Sequence, residues 1–479
     1  MRIVARLGWH EGEGGRVFVL PDAALGPQHG GRVMLQTERP DALPPLVAAG
    51  TLDEWRREVA APCAGNSRLV VALSAAFAAP LLGPLGAEGG GLHFRGPSSA
   101  GKTTALTVAG SVWGGGGLNG WTRRWRATDN ALEAVATAHC DLLLTLDEMG
   151  EAAPEAVAAA AYMLANGGGK GRAARDGGAR RVPEWRLLLL SSGEVGLAKR
   201  LAEARGGAPR RAMAGQQVRG VDLPADAGAG FGLFEALHGE ADGGALSKRL
   251  AGAARRLHGT AGRAFLERLT AEPDALARAA AEARRAFLAR HVPRGAAGQV
   301  ARVADRFALL AAAGEMAAAL GVLPWPPGEA EAGAARCLGD WLRAREGGGG
   351  AAEDAAAVAA VRHFVGANDA RFEPVAGGPI AEGLEPRPVP NRAGWKKRGG
   401  DGGGWHYLVL PEAWRREVVA GLDPEAAARA VRRAGFLVPQ SEGAARHGRM
   451  ERVGLSSPVR VYVVRDSILV GDPDREGGA

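Results

Sequence analysis

Cysteine is scarce in this sequence, and its placement suggests no site. The three cysteines, Cys63, Cys140 and Cys337, are odd in number and far apart along the 479 residues. Disulfide frameworks need even sets of cysteines, and zinc sites need closely spaced ligands. Neither is predicted, and a reducing cytoplasm is the expected setting.

A secretory leader and a long uninterrupted apolar segment are also lacking. The first fifteen residues, MRIVARLGWHEGEGG, have no apolar stretch after their charges, so they do not resemble a signal peptide. The most apolar run, Leu69 to Ala87, is broken by Pro80 and Pro84. We expect it to form a buried helix rather than a membrane span, and we expect no membrane partner.

Acidic residues are outnumbered, since Lys and Arg total 59 against 52 for Asp and Glu. The net charge of +7 suits a polyanionic partner, although it is weak support when spread over this length. The length is sufficient for two or three domains, each with its own core. Glycine is abundant, with 73 residues, so glycine content alone indicates little.

The strongest motif lies in the segment GLHFRGPSSAGKTTALTVAGSVWG, residues 91–114, which reads as a strand, a loop and a helix. The loop has the pattern G-x-x-x-x-G-K-T, which wraps backbone N–H groups around nucleotide phosphates. Lys102 is expected to contact the β and γ phosphates, and the Thr103 hydroxyl to bind Mg²⁺. A glycine-rich turn that matches by chance is the alternative. The predicted nucleotide-binding residues are Gly96, Pro97, Ser98, Ser99, Ala100, Gly101, Lys102, Thr103 and Thr104.

Two later hydrophobic strands are predicted to end in polar residues that act on the same nucleotide. The run LLLTLDEMG ends with Asp147, a second expected Mg²⁺ ligand, and Glu148, expected to polarise the attacking water. The run WRLLLLSSGE brings Ser191 and Ser192 to a sensor position, where either side chain could touch the γ-phosphate or the water. Surface acids and an ordinary strand-end turn are the alternatives.

Strand and helix signals alternate from Gly91 to about Asp226, which is typical of a parallel sheet covered on both faces. We therefore predict an α/β P-loop NTPase core of RecA or AAA+ type. It is followed by a helical region and a C-terminal winged-helix-like domain. The predicted boundaries are 1–65 for a β-rich lead-in, 66–245 for the ATPase core, 246–346 for the helical region and 351–479 for the C-terminal domain, with a linker at 347–350.

Three basic segments are candidates for phosphate contacts. A glycine-rich loop between the acidic and sensor strands reads either as a solvated loop or as a finger for nucleic-acid phosphates, and contains Lys170, Arg172, Arg175, Arg180 and Arg181. The segment after the sensor strand contains arginines that could reach a neighbouring subunit's γ-phosphate. They are Arg205, Arg210, Arg211 and Arg219. Arg211 and Arg219 are included in the predicted catalytic set. Near the C-terminus, Trp395 adjoins Lys396 and Lys397, which suits either nucleic-acid contact or a charged surface without a ligand.

Taken in order, several runs resemble the bacterial family known as domain of unknown function 927. They are the phosphate-loop segment, WRATDNALEAVATAH, LLLTLDEMG, AYMLANGGGKGRAARDG, WRLLLLSSGE and AGQQVRGVDLPADAGAGFGLFE. The resemblance extends from about residue 5 to the last strand near Tyr462. It implies a helicase-like ATPase of phage and plasmid replication proteins, with Lys102 and Thr103 in the phosphate loop, Asp147 and Glu148 in the acidic motif, and a sensor at Ser191 or Ser192.

Members of that family are often joined to a Toprim primase domain. The Toprim signature, a Glu followed much later by Asp-x-Asp, is not visible before Gly91. We therefore expect the motor half of such a protein without its primase half, and a truncated gene or a missed start stays open.

The resulting hypothesis is an ATP-dependent DNA-translocating ATPase of helicase type in the replication of a mobile element. It would use ATP and Mg²⁺, act on DNA, mainly single-stranded, and work as a homo-hexamer, with a primase as a further candidate partner. The alternatives are a P-loop phosphotransferase with a small substrate and a DNA-binding regulator switched by ATP.

Overall fold

The computed structural model describes residues 2–12, 14–27, 33–37, 43–116, 120–169, 182–204, 220–292, 296, 298–345, 351–375, 389, 391–399, 404–420, 422, 424–438, 447–453 and 457–470. The chain forms two compact units. The first ends at Trp341 and the second begins at Leu342.

The first unit opens with short strands, as predicted for the lead-in. Three of them form an antiparallel sheet, and the first and last pair in parallel. These strands are β1 (Arg2–Val4), β2 (Gly8–Gly12), β3 (Gly15–Val19), β4 (Ala24–Leu25) and β5 (Val33–Leu35). The buried Asp141 carboxylate fastens β2 to the core, because it accepts from the Trp9 N–H at 2.9 Å and is paired with Arg186.

The centre of the first unit is a five-stranded sheet in which all neighbouring strands are parallel. Its strands are β6 (Gly90–Arg95), β7 (Arg123–Arg124), β8 (Leu142–Asp147), β9 (Leu187–Gly193) and β10 (Gly220–Pro224). The spatial order is β10-β6-β9-β8-β7, so β9 lies between the strand before the phosphate loop and the strand that carries the acidic pair. The predicted parallel sheet is confirmed.

Helices pack against this sheet. The helices of this part of the chain are α1 (Leu52–Trp55), α2 (Ser67–Ala78), α3 (Leu82–Leu85), α4 (Lys102–Gly110), α5 (Asp129–Ala138), α6 (Pro154–Asn166) and α7 (Leu197–Glu203). Helices α2 and α4 contact β8 and β9. Side chains of α5, α6 and α7 share an apolar cluster with β8 and β9, including Leu132, Val157 and Leu201. Strand β8 is buried along Leu142–Leu146, which explains why its sequence is continuously apolar rather than alternating.

The sequence predicts caps for two helices, Thr51 with Glu54 in the run TLDEWRREVAA and Asn130 in the run NALEAVATAHC. Thr51 caps α1 in a capping box with Glu54, as predicted. Helix α5 begins at Asp129 and is capped by the Thr128 hydroxyl, which accepts from the Ala131 N–H at 3.3 Å. The predicted cap at Asn130 is therefore wrong, because Thr128 has the extended backbone that a cap requires.

The stretch Ser67–Leu85 is apolar and long enough to cross a membrane, with a mean hydropathy of 1.7, but 83% of it is buried inside the structure. It consists of α2, a 3₁₀ turn at Ala79–Leu81 and α3. Helix α2 packs against α4 and a helix further along the first unit, Gly298–Ala319. The stretch thus forms a core element, as predicted.

A helical region follows the sheet, as predicted. It contains α8 (Gly243–Arg256), α9 (Thr260–Ala271), α10 (Pro273–His291), α11 (Gly298–Ala319) and α12 (Glu329–Arg345). Helix α11 presents a broad buried face, from Val303 to Ala317, because small alanines let it approach α2 closely.

The second unit has its own core around a mixed sheet. The sheet order is β11-β12-β13-β16-β14, with β15 paired to β16. The strands are β11 (Phe372–Pro374), β12 (Gly394–Arg398), β13 (Trp405–Val409), β14 (Leu437–Val438), β15 (Arg449–Glu451) and β16 (Val459–Arg465), and the helices are α13 (Ala351–Ala367), α14 (Pro411–Ala413), α15 (Pro424–Arg433) and α16 (Ser467–Val470). In the sequence, only the runs WHYLVL and VRVYVV, which contain β13 and most of β16, read as strands, so this sheet is larger than the sequence alone indicates.

Candidate functional site

The predicted phosphate loop connects β6 to α4, as its motif requires. Helix α4 begins at Lys102, directly after Gly101, whose φ is +88°. A Cβ at Gly101 would lie 3.2 Å from a ring atom of Phe234 and would force a left-handed backbone on an L residue. Glycine is therefore needed there for both space and conformation. Ser99 also has a positive φ, 65°, so the loop is tightly curled.

The Lys102 side chain folds back over this loop. It is only 7% exposed, and its Nζ donates to the carbonyl oxygens of Gly96 at 2.9 Å and Pro97 at 2.7 Å. A buried ammonium needs such acceptors, because desolvation without hydrogen bonds is costly. Phosphate oxygens are stronger acceptors for an ammonium than neutral carbonyls, so a bound anion would compete for this group.

The two threonines that follow Lys102 differ in exposure. Thr103 is exposed at the start of α4, so its predicted role as a Mg²⁺ ligand stays a prediction. Thr104 is 6% exposed, and its hydroxyl hydrogen-bonds with that of Ser247 on α8. The Thr104 side chain therefore ties α4 to α8, which leaves only its backbone for the predicted nucleotide contact.

Asp147 ends β8, and Glu148 follows it with an unusual backbone. Glu148 has φ 58° and ψ 64°, a left-handed conformation that is uncommon for a non-glycine residue. Its N–H is directed at the Asp147 Oδ1 at 3.1 Å and the Ser192 Oγ at 3.3 Å. Strained residues of this kind cluster at functional sites, which supports the predicted importance of Glu148.

The two adjacent serines of β9 are used differently. The Ser192 hydroxyl donates to Asp147 Oδ1, so it joins the acidic pair. Ser191 is 1% exposed, and its Oγ accepts from the Trp125 Nε1 at 2.8 Å and hydrogen-bonds with His93 Nδ1 at 2.9 Å. Ser192 is equally buried, at 1% exposed, so the two sensor candidates differ in their partners. Ser192 contacts Asp147, whereas Ser191 contacts Trp125 and His93.

The carboxyl ends of β6, β9 and β8 bring these pieces together. In an open parallel sheet, ligands bind outside these ends of the strands. The Gly96 N–H donates to the Gly193 carbonyl at 3.1 Å, which joins the phosphate loop to the end of β9. Because β9 lies between β6 and β8, Ser192 stands between the loop and the acidic pair.

Two residues at this edge had no place in the sequence-based prediction. His93 in β6 is 1% exposed, and its ring nitrogens contact Ser191 Oγ at 2.9 Å and the Val195 carbonyl at 3.0 Å. Burial lowers the pKa of the His93 imidazole, which favours the neutral ring as a structural link. Its only sequence signal is a polar residue inside the apolar run GLHF.

Arg200 on α7 is the second residue that the sequence did not single out. Its guanidinium donates to the carbonyls of Gly150 at 3.2 Å and Ala152 at 2.6 Å. These carbonyls flank the end of the short turn Met149–Glu151 that follows Glu148. Arg200 thus fixes the turn that orients Glu148. An arginine on a polar helix carries no sequence signal for such a contact.

Several predicted residues lie outside the described residues, so their contacts stay predictions. These are the candidate fingers Arg205, Arg210, Arg211 and Arg219, and the basic-loop residues Lys170, Arg172, Arg175, Arg180 and Arg181. The two ends of the basic loop are described. The Gly169 N–H donates to the Pro183 carbonyl and the Trp185 N–H to the Gly167 carbonyl, both at 2.9 Å. The two segments that flank the loop therefore pair with each other in antiparallel orientation.

The C-terminal candidates Lys396 and Lys397 lie on β12 in the second unit, and both are ion-paired. Lys396 Nζ is 2.7 Å from Asp369 Oδ2, and Lys397 Nζ is 2.6 Å from Glu451 Oε2. Trp395 is 3% exposed, so its ring is packed in the core and is not available for stacking on a base. Local pairing thus offsets the charge that suggested a nucleic-acid contact here.

The residues present fit a nucleotide with its magnesium ion. The loop provides a curled backbone, a pre-positioned ammonium and an exposed threonine hydroxyl, and Asp147 provides a carboxylate. Within the described part of the chain, no group of three or more His, Cys, Asp or Glu residues could hold a metal ion. A nucleotide-bound Mg²⁺ keeps several waters and takes only one or two protein carboxylates besides the phosphates.

The fold belongs to the α/β class. Its parallel sheet carries a loop of the phosphate-binding pattern, an acidic pair at the end of one strand and a polar strand end between the two. Residues 1–184 match the family described as "Domain of unknown function (DUF927)". The family resemblance drawn from the motifs is therefore confirmed, over 1–184 rather than as far as Tyr462. Strand β9 lies beyond the matched range.

The fold as a whole resembles a solved structure, SCCmec type IV Cch, described as an active helicase. The similarity has a TM-score of 0.68 at 16% sequence identity and covers 98% of this chain and 81% of the other. The chain thus has a helicase-like fold. Among curated proteins, none matches the sequence.

Proposed function

We propose that the protein is an ATP-hydrolysing motor of helicase type that moves along DNA and serves the replication of a mobile element. The observation that carries the proposal is the junction at the sheet edge. The Ser192 hydroxyl and the Glu148 N–H both meet the Asp147 carboxylate there, next to a phosphate loop that already holds its lysine.

Each of these side chains has a defined task in hydrolysis. Lys102 would exchange its loop carbonyls for the β and γ phosphates, and the N-terminal end of α4 would add its positive dipole. Thr103 and Asp147 would hold Mg²⁺, which offsets phosphate charge when bound. Glu148 would orient and deprotonate the attacking water, and Ser192 would hold Asp147 in place.

DNA as the partner is supported by the helicase-like fold and by the position of the basic loop. The segment that contains the loop's cations starts and ends at a backbone pair located between α6 and β9. A homo-hexamer, an arginine from the neighbouring subunit, a recruited primase and a cytoplasmic location are further parts of the proposal. The family's occurrence in phage and plasmid replication proteins supports the mobile-element setting.

ATP turnover measured with and without single-stranded DNA tests the proposal. We expect DNA to stimulate turnover by wild-type protein, and we expect no turnover by Lys102→Ala. Turnover that needs a small acceptor molecule would indicate a phosphotransferase. Negligible turnover despite ATP binding would indicate a regulator switched by ATP.

A further inference from the structure

The segment that follows β10 packs directly on the phosphate loop. We call residues 225–235, with the sequence ADAGAGFGLFE, the glycine strap. The Leu233 N–H donates to the Ala100 carbonyl at 3.0 Å. A Cβ at Gly232 would lie 3.1 Å from that same carbonyl oxygen, so only a glycine lets the strap approach so closely. The strap therefore packs against the candidate nucleotide-binding loop.

Both ends of the strap are held by buried polar groups of the first unit. The Arg68 guanidinium, 1% exposed, donates to the carbonyls of Pro224 at 3.2 Å and Asp226 at 3.1 Å. The Asn66 Oδ1 accepts from the N–H groups of Glu235 at 2.7 Å and Ala236 at 3.0 Å. The strap is thus fixed relative to the loop before any ligand arrives.

Phe231 is the exposed aromatic residue at the middle of this fixed strap. Its side chain is 43% exposed, whereas Leu233 and Phe234, two and three residues later, are 0% and 2% exposed. It immediately precedes Gly232, which touches the phosphate loop. A flat apolar ring is thus presented to solvent beside the loop, on a backbone that is held in place.

The sheet order indicates which end of a nucleotide would meet this ring. Strand β6 has β9 on one side and β10 on the other. The acidic pair and Ser192, which would act at the γ-phosphate in the proposed function, lie on the β9 side. The strap continues from β10, so it starts on the opposite side, where the nucleoside end of a triphosphate held in this way would leave the loop.

We propose that Phe231 is the stacking surface for the base of the bound nucleotide. This subsite, which rests on the proposed nucleotide function, would recognise a base by ring stacking. Every base has a π-face, so stacking tolerates different bases. We therefore expect ATP and GTP to bind with similar affinity.

The test compares ATP with inorganic tripolyphosphate, which has the phosphates but no base. Both dissociation constants are measured by displacement of a fluorescent ATP analogue from wild type and Phe231→Ala. We expect the variant to bind ATP about five- to hundredfold more weakly, from the usual contribution of base–aromatic stacking, and to bind tripolyphosphate as the wild type does. Phe231→Trp should restore ATP affinity. Tyr162→Ala, which removes an exposed aromatic ring on α6, is the matched control and should change neither.

Unchanged ATP affinity in Phe231→Ala would overturn the proposal. An equal loss for ATP and tripolyphosphate would also overturn it, because the strap would then only support the loop. A loss of single-stranded DNA affinity in place of ATP affinity would make Phe231 a DNA contact instead. Lys102→Ala separates this test from the proposed function. If that variant binds tripolyphosphate normally, the phosphate-loop assignment fails, whatever Phe231 does.

Discussion

The two adjacent serines of β9 have different roles, since one contacts the proposed catalytic residues and the other contributes to core packing. Ser191 and Ser192 follow each other in β9, so their side chains point to opposite faces of the sheet. Ser192 meets Asp147, while Ser191 joins His93 and Trp125 in the core. Sequence spacing delivers both to the strand end, but only the register of β9 with β8 decides which one reaches the acidic pair.

At the residue scale, Glu148→Gln should retain ATP binding and lose most hydrolysis. The amide keeps the shape of the side chain but cannot accept the proton of the attacking water, and the loss of a general base typically costs about 10²–10⁴-fold. Single-turnover hydrolysis and ATP binding, measured on the same preparation, check this. Turnover close to that of the wild type would show that another residue activates the water.

Ser192→Ala should slow hydrolysis by about ten- to hundredfold with little change in ATP affinity. It removes a hydrogen bond to a carboxylate, a class of bond that contributes about 1.5–3 kcal/mol, and 1.4 kcal/mol is a factor of ten. The matched variant Ser191→Ala should lower the free energy of unfolding instead, because it leaves Trp125 and His93 without their shared partner. Chemical denaturation and steady-state kinetics distinguish the two. Equal kinetic losses in both variants would refute this division of roles.

The sequence motif was sufficient to predict the loop residues and the acidic pair, because their spacing reflects the local strand–loop–helix geometry. It could not predict His93, Arg200 or Phe231. The partners of His93 and Arg200 are 98 and 50 residues away along the chain, and no local pattern records such contacts. Phe231 is placed by its neighbour Gly232, which touches Ala100 of the distant phosphate loop. The pairing of Lys396 and Lys397 with carboxylates was missed for the same reason.

At the scale of elements, the strands of the core sheet were predictable because continuous apolar runs bounded by turns indicate buried parallel strands. The spatial order of these strands was not predictable, since it depends on how the helices that connect them cross the sheet. Strand β7 contains only Arg123 and Arg124, although the run GWTRRWRAT around it reads as a longer strand in the sequence. In the second unit, short strands such as Leu437–Val438 carry too few residues to show alternation.

The basic loop between α6 and β9 is the element that we expect to contact DNA. Replacing Lys170, Arg172 and Arg175 by Ala should weaken single-stranded DNA binding. It should also lower the slope of log K against log salt concentration by the equivalent of about two to three phosphate contacts, at roughly 0.7 per contact. Basal ATP hydrolysis should survive, because none of the three belongs to the phosphate-loop or acidic motifs.

The matched control replaces three exposed arginines of the helical region, Arg278, Arg285 and Arg302, by Ala. It removes the same charge elsewhere in the molecule. Binding titrations at several salt concentrations check both variants. Unaltered affinity and slope in the loop variant would mean that the loop is a solvated turn and that DNA is contacted elsewhere.

At the scale of the whole molecule, the proposed hydrolysis needs an assembly as well as a site. Glu148 and Lys102 come from one chain, whereas the predicted arginine finger, with Arg211 and Arg219 as the named candidates, would act on a neighbour's nucleotide. We therefore expect a non-hydrolysable ATP analogue to convert the protein into a hexamer. Sedimentation with and without the analogue checks this, with Lys102→Ala as the control that should not respond. A monomer under all conditions would contradict the ring.

The most direct measurement of the central claim is displacement of a labelled strand from a forked DNA duplex. We predict displacement by the wild-type protein with ATP. We predict none with a non-hydrolysable analogue, none by Lys102→Ala and none by Glu148→Gln. Displacement by Lys102→Ala at the wild-type rate, or brisk wild-type ATP turnover that never displaces a strand, would contradict the central claim.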